Sequence, residues 1–324
     1  GTTTLVGTTN LDAVDIDGAT QIDGTVTVGV NDTGYDVKLF GATAGKYALW
    51  DESADSWIIS GTQSTVTAGT SNFRAGVNAG NSIASGGNYN VVIGDEAGTA
   101  ITTGDDNVAV GYQALDANTT GYSNVAVGAE ALSTQIAAGY NNTAVGYQAL
   151  KLNLSGTENS AFGRVALGAN TTGNNNTAGG NYALLSNTTG SSNTAVGSFA
   201  LDANTTGGSN VAVGYGAAGA NTTGTGIVAV GTNSLDANTT GTYNVAIGND
   251  SLSGNTTGTH NVAAGQGALY ANTTGTYNTG LGVSALDANT SASNGTAVGG
   301  NALGANTTGD ANTAVGAAAL DANT

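Results

Sequence analysis

The sequence predicts an all-β chain. Its main part is a β-solenoid, or β-roll, built on a 17-residue repeat and paired with copies of itself around a common axis. A small β-hairpin-rich unit precedes it. Three observations lead there. A glycine closing an "AVG"-like element recurs from Gly94 to Gly316 in steps of 17, with a single step of 18 from Gly128 to Gly146. Gly76, in "FRAG", starts the series one 18-residue step earlier. Second, the composition suits only a thin core: Gly occurs 53 times, Phe 4 times and Trp twice, and Pro, Cys and Met are absent. Third, the repeat reads N-[TV]-A-V-G-x-x-A-L-x-A-N-T-T-G-x-x, too rich in Gly, Asn and β-branched residues for helical repeats.

Each position of the repeat has a physical reading. "NTAVG" and "NVAVG" are short, β-branched and bounded by turn formers, so they read as strands of about four residues. In 124–128, alternation sends Val125 and Val127 to one face and Ala126 to the other. Both faces are apolar. One can line the coil's own interior, whereas the other needs an outside surface to cover it, because a wet apolar stripe this long is rarely tolerated. That predicts self-association around a common axis. Leu stands four residues after the glycine from Leu115 to Leu320, broken only by Ala218, and stacks into a continuous core ladder. "ANTTG" closes the coil. Its Asn and Gly are expected to supply left-handed corners. Its Asn residues, from Asn118 through Asn153 and Asn170 to Asn323, are expected to hydrogen-bond along a column as amide ladders do. With strands about 4.8 Å apart, about 15 coils make a rod of roughly 70 Å.

The chain divides by composition into 1–70 and 71–324. The first part holds both Trp, Lys38 and Lys46, and many Asp. Here "TVTVGV" (25–30), "NDTG" and "YDVKLF" (35–40) read as one hairpin. "KYALWD" (46–51), "ESAD" and "SWII" (56–59) read as a second, with Trp50 and Trp57 as a small core. "LDAVDIDG" and "TQIDG" (11–24) read as short strand-and-turn units. The chain begins at Gly1 without an initiator Met and stops at Thr324 within a repeat, and so reads as a segment of a longer protein.

Charge excludes several classes. The net charge is −17, with only five Lys and Arg, so nucleic acid is not a partner. An anionic membrane surface is disfavoured too, and no apolar run reaches the roughly 20 residues of a membrane-spanning helix. Charged residues are 8% of the chain, about a third of the usual share, and the acidic excess reads as solubility and mutual repulsion. The single His, His260, stands where other repeats carry Tyr243 and Tyr277, and reads as a variable corner residue. With no Cys, thiol nucleophiles and His/Cys metal clusters are excluded. "DAVDIDG" (12–18) lacks the spacing and closing Glu of a calcium loop. The "LDAN" aspartates (Asp116, Asp202, Asp236, Asp287 and Asp321) never fall in adjacent coils. Glycan hydrolysis needs two carboxyls facing each other roughly 5–10 Å apart in a groove, whereas the acidic residues of the repeats are scattered over variable positions. The reading is therefore not an enzyme, with no catalytic, cofactor-binding or metal residues and no cofactor.

Two stretches carry resemblances. The array around "NTAVGYQAL" (142–150), over roughly 76–324, resembles the heads of YadA-like trimeric autotransporter adhesins, in which three chains form β-rolls about one axis. The segment "VGVNDTGYDVKLFGATAGKYALWDESADSWII" (28–59) closely resembles one found in tail-fibre and other structural proteins of marine phages, especially those of cyanobacteria, where it commonly precedes such repeats. The resemblance implies a trimeric virion appendage, located on the virion and outside the cell. It would present a host-attachment tip, with other virion proteins and a host glycan or protein as partners through regions beyond this segment. The head or stalk of a bacterial adhesin is the alternative. An ice-binding solenoid is a distant third, disfavoured because adjacent Thr residues such as Thr119 and Thr120 point to opposite sides of an extended chain.

Overall fold

The computed structural model describes the strand backbones 37–40, 47–51 and 56–60, and residues 68–135 and 139–323. The chain forms two compact units, Gly1–Gln63 and Ser64–Thr324. In the first, β1 (Val37–Phe40), β2 (Tyr47–Asp51) and β3 (Ser56–Ser60) make an antiparallel sheet in that order. The β2–β3 hairpin falls where the sequence places it, and its register sets Trp50 opposite Trp57. β1 pairs antiparallel with β2, Val37 opposite Trp50, which joins the second half of the first expected hairpin to the second hairpin. Segments 11–24 and 25–30 lie outside the described residues.

The second unit is the solenoid. Fifteen three-residue strands, β4 (Phe73–Ala75) through β18 (Thr313–Val315), form one parallel sheet in strict sequence order. Each pairs in register with the next, as Val211, Ala212 and Val213 of β12 (Val211–Val213) do with Val228, Ala229 and Val230 of β13 (Val228–Val230). The strands are one residue shorter than expected because the chain turns at the glycine. There φ lies between 126° and 145°, from Gly76 to Gly316, a conformation that L side chains rarely adopt. The two 18-residue steps, Phe73 to Val91 and Val125 to Thr143, are absorbed without loss of register.

Alternation sorts each strand. The middle residue points inward, and Ala109, Ala126, Ala195 and Ala246 are fully buried. Arg74 takes this inward position in the first strand, where its Nε donates to the Ala79 carbonyl at 2.5 Å. Leu115 through Leu303 form the expected ladder at 0% exposure, next to a column of buried Ala, whereas Leu320, in the last coil, is half exposed. A core of Ala and Leu explains how a chain with few large apolar residues folds: the interior is one side chain wide.

The corners differ from expectation. The Asn and Gly of "ANTTG" are not left-handed. Positive φ falls instead on the Leu column, at 51° to 56°, and on two other positions per coil, such as Gln113 and Ser123. The "ANTTG" turn is held by its side chain. Asn118 Oδ1 accepts from the Gly121 amide at 3.0 Å, and Asn118 Nδ2 donates to the Gly121 carbonyl at 3.0 Å. Glycine is required at 121 for closeness, since a Cβ there would lie 2.4 Å from both Asn118 Oδ1 and the Gly139 carbonyl.

The Asn column of "ANTTG" is an amide ladder as expected: Nδ2 of Asn170, Asn187 and Asn204 donates to Oδ1 of the preceding Asn at 2.8–2.9 Å. Gln135 continues it through the extra-residue coil, reaching Asn118 Oδ1 at 3.3 Å and accepting from Asn153 Nδ2 at 3.3 Å. A second ladder runs beside it through the Asn that opens most strands, interrupted at Ile227 and Gly295. The Asn193 amide and Nδ2 both donate to Asn176 Oδ1, and Nδ2 also reaches the Gly207 carbonyl at 2.9 Å. That carbonyl accepts from Asn204 Nδ2 as well, at 3.0 Å, so the ladders meet at one oxygen per coil. Most polar groups of this buried strip are hydrogen-bonded within their own turn or to the next coil, which makes the burial affordable.

Candidate functional surfaces

The sheet's outer face is the most distinctive surface. Two residues of each strand flank the inward one, and across the fifteen strands none of these outward positions is charged. The column just before the glycine runs Ile93, Val110, Val127, Val145 and Phe162 on to Val298 and Val315, all of it apolar. The column two residues earlier is Val, Thr, Ser and one Phe. Side chains here stand half exposed: Val196 at 44%, Val213 at 37% and Ile247 at 47%. Among the described residues of the solenoid, the charges other than that of the inward Arg74 lie on the turns instead.

Aromatic rings on those turns stack between coils. Tyr122 lies on Tyr140 at 5.1 Å, and Tyr182 on Phe199 at 5.4 Å. The Arg164 guanidinium sits 5.0 Å from the Tyr182 ring. His260, read from the sequence as a variable corner, occupies a left-handed corner (φ 58°) between Tyr243 at 5.1 Å and Tyr277 at 4.8 Å. Its role there is a ring in a stack, with no catalytic partner beside it among the described residues.

The Thr pairs divide as the sequence implies. The first hydroxyl donates to the next coil's carbonyl, Thr188 to Thr205 and Thr205 to Thr222, each at 3.0 Å. The second Thr, such as Thr189, is exposed. The first Thr is half-buried in coils such as that of Thr188, and exposed beside the second at Thr273 and Thr307. Among the described residues no three Asp, Glu or His gather as a metal-binding group. The loop 12–18 lies outside them.

No family model, curated protein or solved structure matches this chain. The surfaces themselves therefore carry the functional reading.

Three aspartates make stability depend on pH. Burial pushes the carboxyls of Asp116, Asp202 and Asp236 above the ordinary 3.8, and Oδ1 of Asp116 and of Asp236 has no hydrogen-bond partner. A raised folded-state pKa contributes stability that is present in acid and lost as pH rises through that value. Glu130 works in the opposite sense: its hydrogen bond to Lys151 lowers its pKa, a contribution lost as pH falls. Three groups outweigh one, and acid also relieves the self-repulsion of a −17 chain. The melting temperature is therefore expected to hold or rise between pH 7 and pH 4. Asp236→Asn should raise it at pH 7 and flatten the profile. Melts that fall steadily toward pH 4 would contradict this balance.

Proposed function

We propose that this chain is a structural shaft: a rod of stacked coils that associates with copies of itself through the charge-free face of its sheet. The observation that carries the reading is that face, uncharged across fifteen strands of a chain with 22 acidic residues. A face about 67 Å long and about 10 Å wide is about 700 Å² per copy, close to the roughly 800 Å² per partner of a standard stable interface. A second copy is the natural occupant, because it presents the same columns at the same axial stride. Three copies about one axis, and a place in a phage fibre that projects a host-attachment tip, follow from the resemblances of 28–59 and 76–324. On that reading the shaft is extracellular, on a virion, and acts mechanically, and it is not an enzyme. The head or stalk of a bacterial adhesin is the same shaft in another setting.

Lysine substitutions test the face. Val213→Lys with Ile247→Lys puts two charges in the middle of it, and sedimentation velocity is expected to show the assembly dissociating. Thr223→Lys, on an exposed corner, should leave it intact. Equal sedimentation of both variants and the wild type would sink the proposal.

A further inference from the structure

The turns of one coil depart from the repeat in a way that opens a cavity. Around Gly265 the position two after the corner is Gly267, whereas the coils on either side carry Asp250 and Ser284 there. A Cβ on Gly267 would meet only Ser284 Oγ, at 3.7 Å, so the missing side chain leaves real space. The position five after the corner is Tyr270, in a column that otherwise holds Asp, Gly, Ser, Lys or Leu in the coils from Gly111 to Gly316. The two departures meet in a cavity of about 300 Å³ lined by Asp250, Gln266, Gly267, Tyr270, Val283, Ser284 and Asp287. That is at the small end of ligand sites, which run from roughly 300 to 1,000 Å³.

The lining indicates what would fit. Tyr270 is 52% exposed, and its ring, unlike those of Tyr243, His260 and Tyr277, joins no stack among the described residues. Its π face is therefore available. Carboxylates stand on two sides, and nothing cationic opposes them: after Arg164 the sequence contains six Asp and no Lys or Arg. An aromatic face with carboxylates in a field of one sign attracts a positive ligand and repels an anionic one. The cavity lies past the glycine corner, on the turns and outside the sheet's outward face, so association through that face leaves it open.

We infer that this notch binds a small organic ammonium group, with its methyl or methylene carbons against the Tyr270 ring and its charge between Asp250 and Asp287. The test is ligand-observed NMR with choline chloride as the probe, using the full chain. Saturable binding is expected, with a dissociation constant on the order of 1 mM. Tyr270→Ala and Asp287→Asn should each weaken it about fivefold or more. Gly267→Ser, which fills the notch with the residue the next coil carries, should abolish it. Tyr270→Ala and Asp287→Asn remove exposed or half-buried side-chain atoms and should keep the wild-type melting temperature, whereas Gly267→Ser, at φ 63°, should lower it slightly, Ser284 already holding φ 52° at the same place in the next coil. A methyl glucoside should not compete. The inference fails if choline shows no saturable binding, if the three variants bind as the wild type does, or if the neutral sugar competes as well as choline.

Discussion

Gly197→Ala is expected to break the solenoid at one coil. The backbone there has φ 137°, and an added Cβ would lie 2.3 Å from the Gly214 carbonyl oxygen and 2.6 Å from its carbon. Both atoms are backbone, fixed by the ladder below, so neither yields as a side chain would. Strain of about 1–3 kcal/mol for the backbone conformation adds to the displacement of a neighbouring coil, for a total of roughly 3–5 kcal/mol. Each coil touches only its neighbours, so the damage divides the stack instead of unfolding it evenly. Urea melts should lose cooperativity, and limited proteolysis should cut near this coil. Gly179→Val is the control. Gly179 lies on the outer face of β10 (Thr177–Gly179), where a Cβ would meet only Val196 Cγ2 at 4.0 Å and where most coils carry a larger apolar residue. It should be tolerated, and it should stabilise by up to about 1 kcal/mol through better strand packing. If both substitutions behaved alike, the close approach of corner glycines would not govern stability.

Asn193→Ala is expected to cost roughly 2–4 kcal/mol, from a cavity and from orphaning a buried donor. The Asn210 amide donates to Asn193 Oδ1 at 3.1 Å, and both residues are fully buried. Asn193 Nδ2 holds Asn176 Oδ1 and the Gly207 carbonyl, and that carbonyl keeps its bond from Asn204. Hydrogen exchange gives the sharpest readout: the Asn210 amide should lose protection far more than amides several coils away. Asn193→Asp should be worse at neutral pH, since it turns an acceptor toward two acceptors, and should recover part of the loss in acid. An Asn210 amide as protected in Asn193→Ala as in the wild type would show that the second ladder does not hold the coil.

Much of this was legible in the residues because the repeat is strict. The 17-residue spacing of glycine implied stacked coils, the Val-Ala-Val alternation implied two apolar faces of which one lines the coil, and the Leu and "ANTTG" Asn columns fell where stacking puts them. Other features were hidden for physical reasons. Left-handed backbone was assigned to Asn and Gly because they adopt it at little cost, yet here it falls on Leu115 and its equivalents. Complete burial of Leu against its neighbours outweighs about 1–2 kcal/mol of local strain. The second Asn ladder was missed because the Asn that opens each strand reads equally well as a turn former. The pairing of β1 with β2 was not read because local pattern shows hairpins but not how one lies beside the next. The ammonium notch was visible only as two deviations, Gly267 and Tyr270, that carry meaning once the coils are stacked and the columns compared.

The central claim is that the uncharged outer face of the sheet is covered by copies of the same chain. Size exclusion with multi-angle light scattering measures this most directly. A chain of 31.2 kDa should elute as a species of three times that mass, independent of concentration over the micromolar range. A stable monomer at 31.2 kDa would contradict the claim and leave a free-standing solenoid whose apolar face is open to water.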